Sequence, residues 1–183
     1  MVNISELAKQ LENSNLPPVE KWNPEFCGDI DMVIRRDGSW HYMGSPIGRK
    51  ALVKLFSNVL KREGNDYYLV TPAEKVGIKV EDAPFVAVLM EPIDQEPATA
   101  LLFTDNVGNQ FIADEHHPIR VEIDPITLEP SPYILVRKNL EALIHRNVFY
   151  QMVELAEIEL IDNVEHMVIR SAGQKFSLGR IQA

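Results

Sequence analysis

Gly44-Ser45-Pro46-Ile47-Gly48-Arg49-Lys50-Ala51-Leu52-Val53-Lys54-Leu55-Phe56-Ser57-Asn58-Val59-Leu60-Lys61-Arg62-Glu63-Gly64 is the stretch on which the fold turns. Serine can cap the free amides of a first turn, proline fits the first helical position, and Leu52, Leu55, Phe56, Val59 and Leu60 recur at helical period. The spacing predicts a helix over 46–63, stopped by Gly64. Upstream, Ile30, Met32 and Ile34 alternate with Asp31, Val33 and Arg35, Asp37-Gly38 supplies a hairpin turn, and Trp40 and Tyr42 share one face of a second short strand. Downstream, Tyr67–Thr71, Val76–Val80 and Phe85–Met90 read as strands. A helix set among strands with one apolar face is a cover for a sheet, so the expected class is α+β.

The same order of elements returns further along. After a polar linker at Glu91–Pro97, strands are expected at Ala98–Thr104, Gln110–Ala113, Ile119–Ile123 and Tyr133–Val136, with Asn106-Val107-Gly108-Asn109 as a turn. A second helix is predicted over 137–150, because Arg137-Lys138-x-Leu140-x-x-Leu143 superposes on Arg49-Lys50-x-Leu52-x-x-Leu55. Strands at Met152–Ile161 and His166–Ile169 follow. The chain therefore reads as two β-rich units made by duplication, 29–82 and 83–183, each with one long covering helix. Residues 1–28 form an arm, with a docking helix carrying Ile4, Leu7, Ala8 and Leu11, then Pro17, Pro18 and Pro24, with Trp22 and Phe26 as anchors.

Composition narrows the function classes. With 183 residues, 45% hydrophobic and 25% charged, the chain can close a core rather than remain disordered. Its longest apolar run, Phe85–Met90, falls far short of the roughly 20 residues of a membrane-spanning helix, and no signal-peptide pattern opens it. A net charge of −9 argues against binding to a nucleic acid polymer. The single cysteine, Cys27, excludes an intrachain disulfide and fits a reducing, cytoplasmic setting.

Against that acidic total stands a basic island, Arg35, Arg36, Arg49, Lys50, Lys54, Lys61 and Arg62 with Asp37 as its one acid. At its centre a helix start presents unpaired N–H groups beside Ser45, Gly48, Arg49 and Lys50, which suits phosphate or carboxylate. Trp40 and Tyr42 can stack a planar ring, and Arg36 and Arg137 are secondary candidates. The bland alternatives are that the cations pair with Asp31 or Asp37, or lie in solvent, and that the aromatic pair belongs to the core. Asp114-Glu115-His116-His117 lacks a spacing that converges on a metal, so none is assigned. No residue qualifies as catalytic. Cys27, His41 and the Asp114–His117 run are the only raw material for a hydrolase or transferase, and the chain leans away from being an enzyme.

Cys27-Gly28-Asp29-Ile30-Asp31-Met32, Arg36-Asp37-Gly38-Ser39-Trp40-His41-Tyr42-Met43-Gly44-Ser45-Pro46-Ile47, the Arg49–Arg62 helix and Tyr67-Tyr68-Leu69-Val70-Thr71-Pro72-Ala73-Glu74-Lys75 together resemble the bacterial family of domain of unknown function 1285. The resemblance covers nearly the whole chain. It implies a duplicated architecture, a second unit like a pleckstrin-homology partial barrel, a pocket between the units for a nucleotide-like ligand, and a role in signalling. It supplies no catalytic residue and no identified cofactor. The expected function is a non-catalytic regulatory protein that binds a small, anionic, phosphorylated, nucleotide-like molecule. The alternative is a protein-interaction module without a small ligand, and the oligomeric state is left open.

Overall fold

The computed structural model describes residues 16–182, and the docking helix expected within the first residues lies outside them. Two compact units follow one another, the first ending at Ala83 and the second beginning at Pro84. In the first, β1 (Phe26–Ile34), β2 (Trp40–Tyr42) and β3 (Ser45–Pro46) form an antiparallel meander. Helix α1 (Lys50–Asn58) leads to a second meander, β4 (Leu60–Glu63), β5 (Asp66–Val70) and β6 (Lys75–Val80). Parallel pairing of β6 with β1 joins them in the order β3-β2-β1-β6-β5-β4. Met32, Ile34, Trp40, Phe56, Val59, Leu60, Leu69, Val70 and Val76 are buried and make the core.

The second unit repeats that order. β7 (Phe85–Gln95), β8 (Ala98–Asp105) and β9 (Gln110–Ile112) form one meander, and β10 (Ile119–Ile123), β11 (Pro130–Arg137) and β12 (Leu140–Ile144) the other. β12 runs parallel to β7, giving β10-β11-β12-β7-β8-β9, the mirror-written counterpart of the first sheet. Helix α2 (Arg146–Leu155) comes after the last strand rather than between the meanders, and a small antiparallel sheet follows, β13 (Glu157–Ile161), β14 (Val164–Ser171) and β15 (Gln174–Arg180). Duplication is thus visible in the strand order.

Both predicted helices need correction. The first spans Lys50–Asn58 instead of 46–63. Ser45 and Pro46 belong to edge strand β3, where proline's missing donor does no harm, and Leu60–Glu63 turns into β4 because Gly64, at φ +61°, opens a two-residue hairpin turn between Glu63 and Asp66. Gly64 is therefore a strand-turn glycine and not a helix stop. The second predicted helix, 137–150, divides into a hairpin and a later helix. Lys138, at φ +53°, and Asn139 make the turn joining Arg137 to Leu140. Beyond it Leu140, Ala142 and Ile144 are buried while Glu141 and Leu143 are not, which is period two. His145 then caps α2, its Nδ1 accepting from the Asn147 N–H at 3.2 Å, and Val148, Phe149 and Met152 form the buried stripe. Arg137-Lys138-x-Leu140 is strand where Arg49-Lys50-x-Leu52 is helix, so that superposition is coincidental.

The remaining departures are small. The expected linker at Glu91–Pro97 is the end of β7 and its hairpin turn, and Met152 belongs to α2 rather than to a strand. In the arm, Val19, in a 3-10 turn at Val19–Lys21, is the buried anchor; Trp22 is half-buried and Phe26 is 56% exposed. No described helix is long and apolar enough to cross a membrane.

Candidate functional site

The basic helix start is assembled by two tight turns. Asp37 shapes the first: its Oδ1 accepts from the Ser39 N–H at 2.9 Å and from Ser39 Oγ at 2.5 Å, bonds that hold its carboxyl below the usual carboxylate range. Met43 (φ +50°) and Gly44 (φ +80°) make the second, a left-handed pair of the kind that matches strand twist, and it brings Ser45 opposite Tyr42. The Ile47 N–H then donates to the Trp40 carbonyl at 2.8 Å, after which Gly48 and Arg49 lead into α1.

That helix begins without the usual compensation. Arg49 stands at the N-cap with extended backbone, gives no side-chain cap, and no acid lies in the first turn. The Leu52 and Val53 amides both turn back to the Arg49 carbonyl, at 3.1 and 3.2 Å, whereas the amides of Gly48, Arg49, Lys50 and Ala51 find no acceptor among the described residues. Arg49 and Lys50 are exposed and make no ion pair among the described residues. Asp37, one expected partner, is committed to Ser39. A helix start ordinarily attracts a carboxylate; this one adds two cations to the positive end of the dipole.

The other candidate residues have structural work. Trp40 is 2% exposed and its ring stacks on Phe56 of α1, centroids 6.3 Å apart, so it is a core residue and offers no face to a ligand. Tyr42 is half-buried and Ser45 exposed. Arg36 pairs with Asp82 at 2.6 Å while its N–H donates to Glu81 Oε2 at 3.0 Å, which clamps the β1–β2 turn to the end of β6. Arg137, in the second unit, lies over the Phe85 ring at 5.2 Å; burial lowers its pKa, and the nearby Asp105 carboxylate opposes that shift. Of the eight, then, Tyr42, Ser45, Gly48, Arg49 and Lys50 occupy one accessible stretch of chain and Trp40, Arg36 and Arg137 serve elsewhere.

The raw material for catalysis is dispersed. Cys27 is an exposed thiol, and along β1 it is six residues from Val33, the residue paired with His41, a separation of about 20 Å. Asp114 Oδ1 accepts from the His116 and His117 amides at 2.8 Å each, shaping a loop, while the His117 ring turns to the Leu135 carbonyl and His116 points to solvent. Among the described residues no group of three His, Cys, Asp or Glu side chains converges.

Cavities among the described residues are lined by other side chains. One, of about 340 Å³ in the first unit, is bordered by Asp29, Asp66, Tyr68 and Lys79. Two lie in the second unit: one of about 480 Å³ beside Leu155 and Arg170, and one of about 660 Å³ that gathers His166, Ser177 and Arg180. Sequence reasoning missed the last. Its one readable signal is Gly179 inside an otherwise regular strand pattern, which marks a bulge.

Comparison with known proteins agrees with the architecture. The family model described as "Domain of unknown function (DUF1285), N-terminal domain" matches residues 17–83, and that described as "Protein of unknown function (DUF1285), C-terminal domain" matches 84–178, the boundary falling where the units divide. A crystal structure of a DUF1285 family protein from Silicibacter pomeroyi DSS-3 is 48% identical, with TM-score 0.89, covering 99% of this chain and 97% of that one. One from Shewanella baltica OS155 is 26% identical, with TM-score 0.54, covering 68% and 91%. No curated protein matches. With both units matched in order and a relative nearly half identical along its whole length, the chain belongs to the DUF1285 family, a two-domain family of unknown function.

Proposed function

We propose that the protein is a non-catalytic regulatory module of the cytoplasm, acting in signalling, that takes up a small phosphorylated, nucleotide-like molecule at the start of α1. The observation that carries the proposal is the run of amides at Gly48–Ala51 that find no acceptor among the described residues, beside Arg49 and Lys50, two cations with no counter-charge among those residues. Each charge-assisted bond to a phosphate contributes about 1.5–3 kcal/mol and the helix dipole about 0.3–1 kcal/mol. Ser45 adds a hydroxyl, and Tyr42 is the ring with surface left for a base. The exposed free thiol of Cys27 accords with a reducing compartment.

A thermal-shift panel of nucleotides and inorganic diphosphate tests it. A ligand at ten times its Kd adds about 1.4 kcal/mol, a rise of several degrees for a domain of this size. Arg49→Ala with Lys50→Ala is expected to abolish the rise; an equal response from parent and variant would sink the assignment.

One observation favours the second reading, a protein-interaction module. Edge strand β13 leaves Ile158 65% and Leu160 71% exposed on one face, the kind of edge that pairs with another chain. We extend this reading to a pleckstrin-homology-like second unit, a proposal supported by α2 following the last strand of its sheet. If it holds, Ile158→Lys with Leu160→Lys removes concentration-dependent association in light scattering; a parent that stays monomeric and partner-free at all concentrations counts against it.

A further inference from the structure

The geometry points to a second ligand site, in the second unit, where a β-bulge gathers His166, Ser177 and Arg180 to hold the carboxylate or phosphate head of a molecule with an apolar body. β14 and β15 pair His166 with Arg180 and Met167 with Gly179, but Val168 with Ser177, so Leu178 is an extra residue on β15. In an unbroken strand Ser177 and Arg180, three apart, would face opposite sides. The inserted residue reverses the alternation, and both border one cavity of about 660 Å³ together with His166. Gly179, at φ +154°, adopts a backbone that L side chains rarely reach, and a Cβ there would meet only open space.

The polar side of this cavity is matched to an anion. His166 Nδ1 lies 2.7 Å from Ser177 Oγ, which fixes both groups, and Arg180 makes no ion pair among the described residues. Among the described residues no acidic side chain borders the cavity. The facing wall is apolar: Val121 and Ile123 of β10, and Leu128 from the turn that follows. Leu128 sits at φ +60°, costly for leucine, and the turn is braced by Asp124, whose carbonyl accepts from the Leu128 N–H at 2.9 Å and whose Oδ1 accepts from Ile126 and Thr127 at 2.8 Å each. A cation and fixed donors on one side, with an aliphatic wall on the other and a volume in the range of small-ligand sites, select an amphipathic anion.

Calorimetric titration of the full chain with octanoate, octyl phosphate and octanol, each kept below its micelle concentration, tests this. Saturable binding of either charged probe, with octanol at least tenfold weaker, is expected; which head binds identifies the anion. Arg180→Gln should weaken the charged probe by about 10–100-fold, and Arg180→Lys by less, because a point charge replaces a forked donor. Leu128→Ser should weaken the charged probe while leaving its preference over octanol. No binding, octanol binding as tightly as the charged probes, or indifference to Arg180→Gln would overturn the site. The site does not rest on the α1 proposal: Arg49→Ala with Lys50→Ala leaves the Arg180-dependent part of octyl-probe binding unchanged, and Arg180→Gln leaves the nucleotide response unchanged.

Discussion

Phe56→Ala is expected to destabilise the first unit by about 3–5 kcal/mol, the full range for removing a buried aromatic ring. Phe56 is 0% exposed and provides the surface on which Trp40 stacks, so its loss opens a void under α1 and frees a tryptophan whose own neighbours stay fixed. Phe56→Leu, which fills much of the space, should cost less than half as much. Both tryptophans, Trp22 and Trp40, lie in the first unit, so urea unfolding followed by tryptophan fluorescence reports on that unit. A shift below about 1 kcal/mol would mean that α1 is not the cover of this sheet.

Asp105→Ala should be nearly as severe in the second unit, at about 3 kcal/mol. The carboxylate is 2% exposed; Oδ1 accepts from the Val107 and Asn109 amides at 3.0 and 2.9 Å, and Oδ2 from Asn109 Nδ2 at 2.7 Å. Alanine leaves those donors without their acceptor and takes a negative charge away from the partly buried Arg137 guanidinium. Asp105→Asn keeps an oxygen for the two amides but sets one NH₂ against another, so it should fall midway. Far-UV circular dichroism in urea, compared among parent, Asn and Ala variants, gives that order if the turn is held as described; equal stabilities for all three would refute it.

Strands were legible where one face is buried and the other wet, because alternation at period two is then imposed on the sequence. Met32 and Ile34, buried between exposed Asp31 and Arg35, are the clearest instance; at Ile119–Ile123 the predicted limits are those observed. Leu140–Ile144 was not legible, since Leu140, Leu143 and Ile144 satisfy a helix as well as Leu140, Ala142 and Ile144 satisfy a strand. What decides between them is the left-handed Lys138 in a two-residue turn, a conformation that sequence alone signals weakly for lysine. Ser45-Pro46 carried a similar ambiguity, as both a helix cap and an edge strand tolerate that pair. The basic island was readable as charge, yet whether Arg36 faced Asp82 or a ligand depended on a contact across much of the unit, which no local pattern contains. The His166, Ser177 and Arg180 cluster required a bulge to bring it onto one side, and only Gly179 hinted at that.

Amide chemical shifts measured while inorganic diphosphate is titrated into the full chain test the binding proposal most directly, since the claim is that backbone N–H groups at one helix start receive the anion. Large, saturable, downfield movements of Gly48, Lys50 and Ala51, absent when Arg49 and Lys50 are both alanine, are the result expected. Perturbations scattered over other surfaces while those three amides stay still would contradict it.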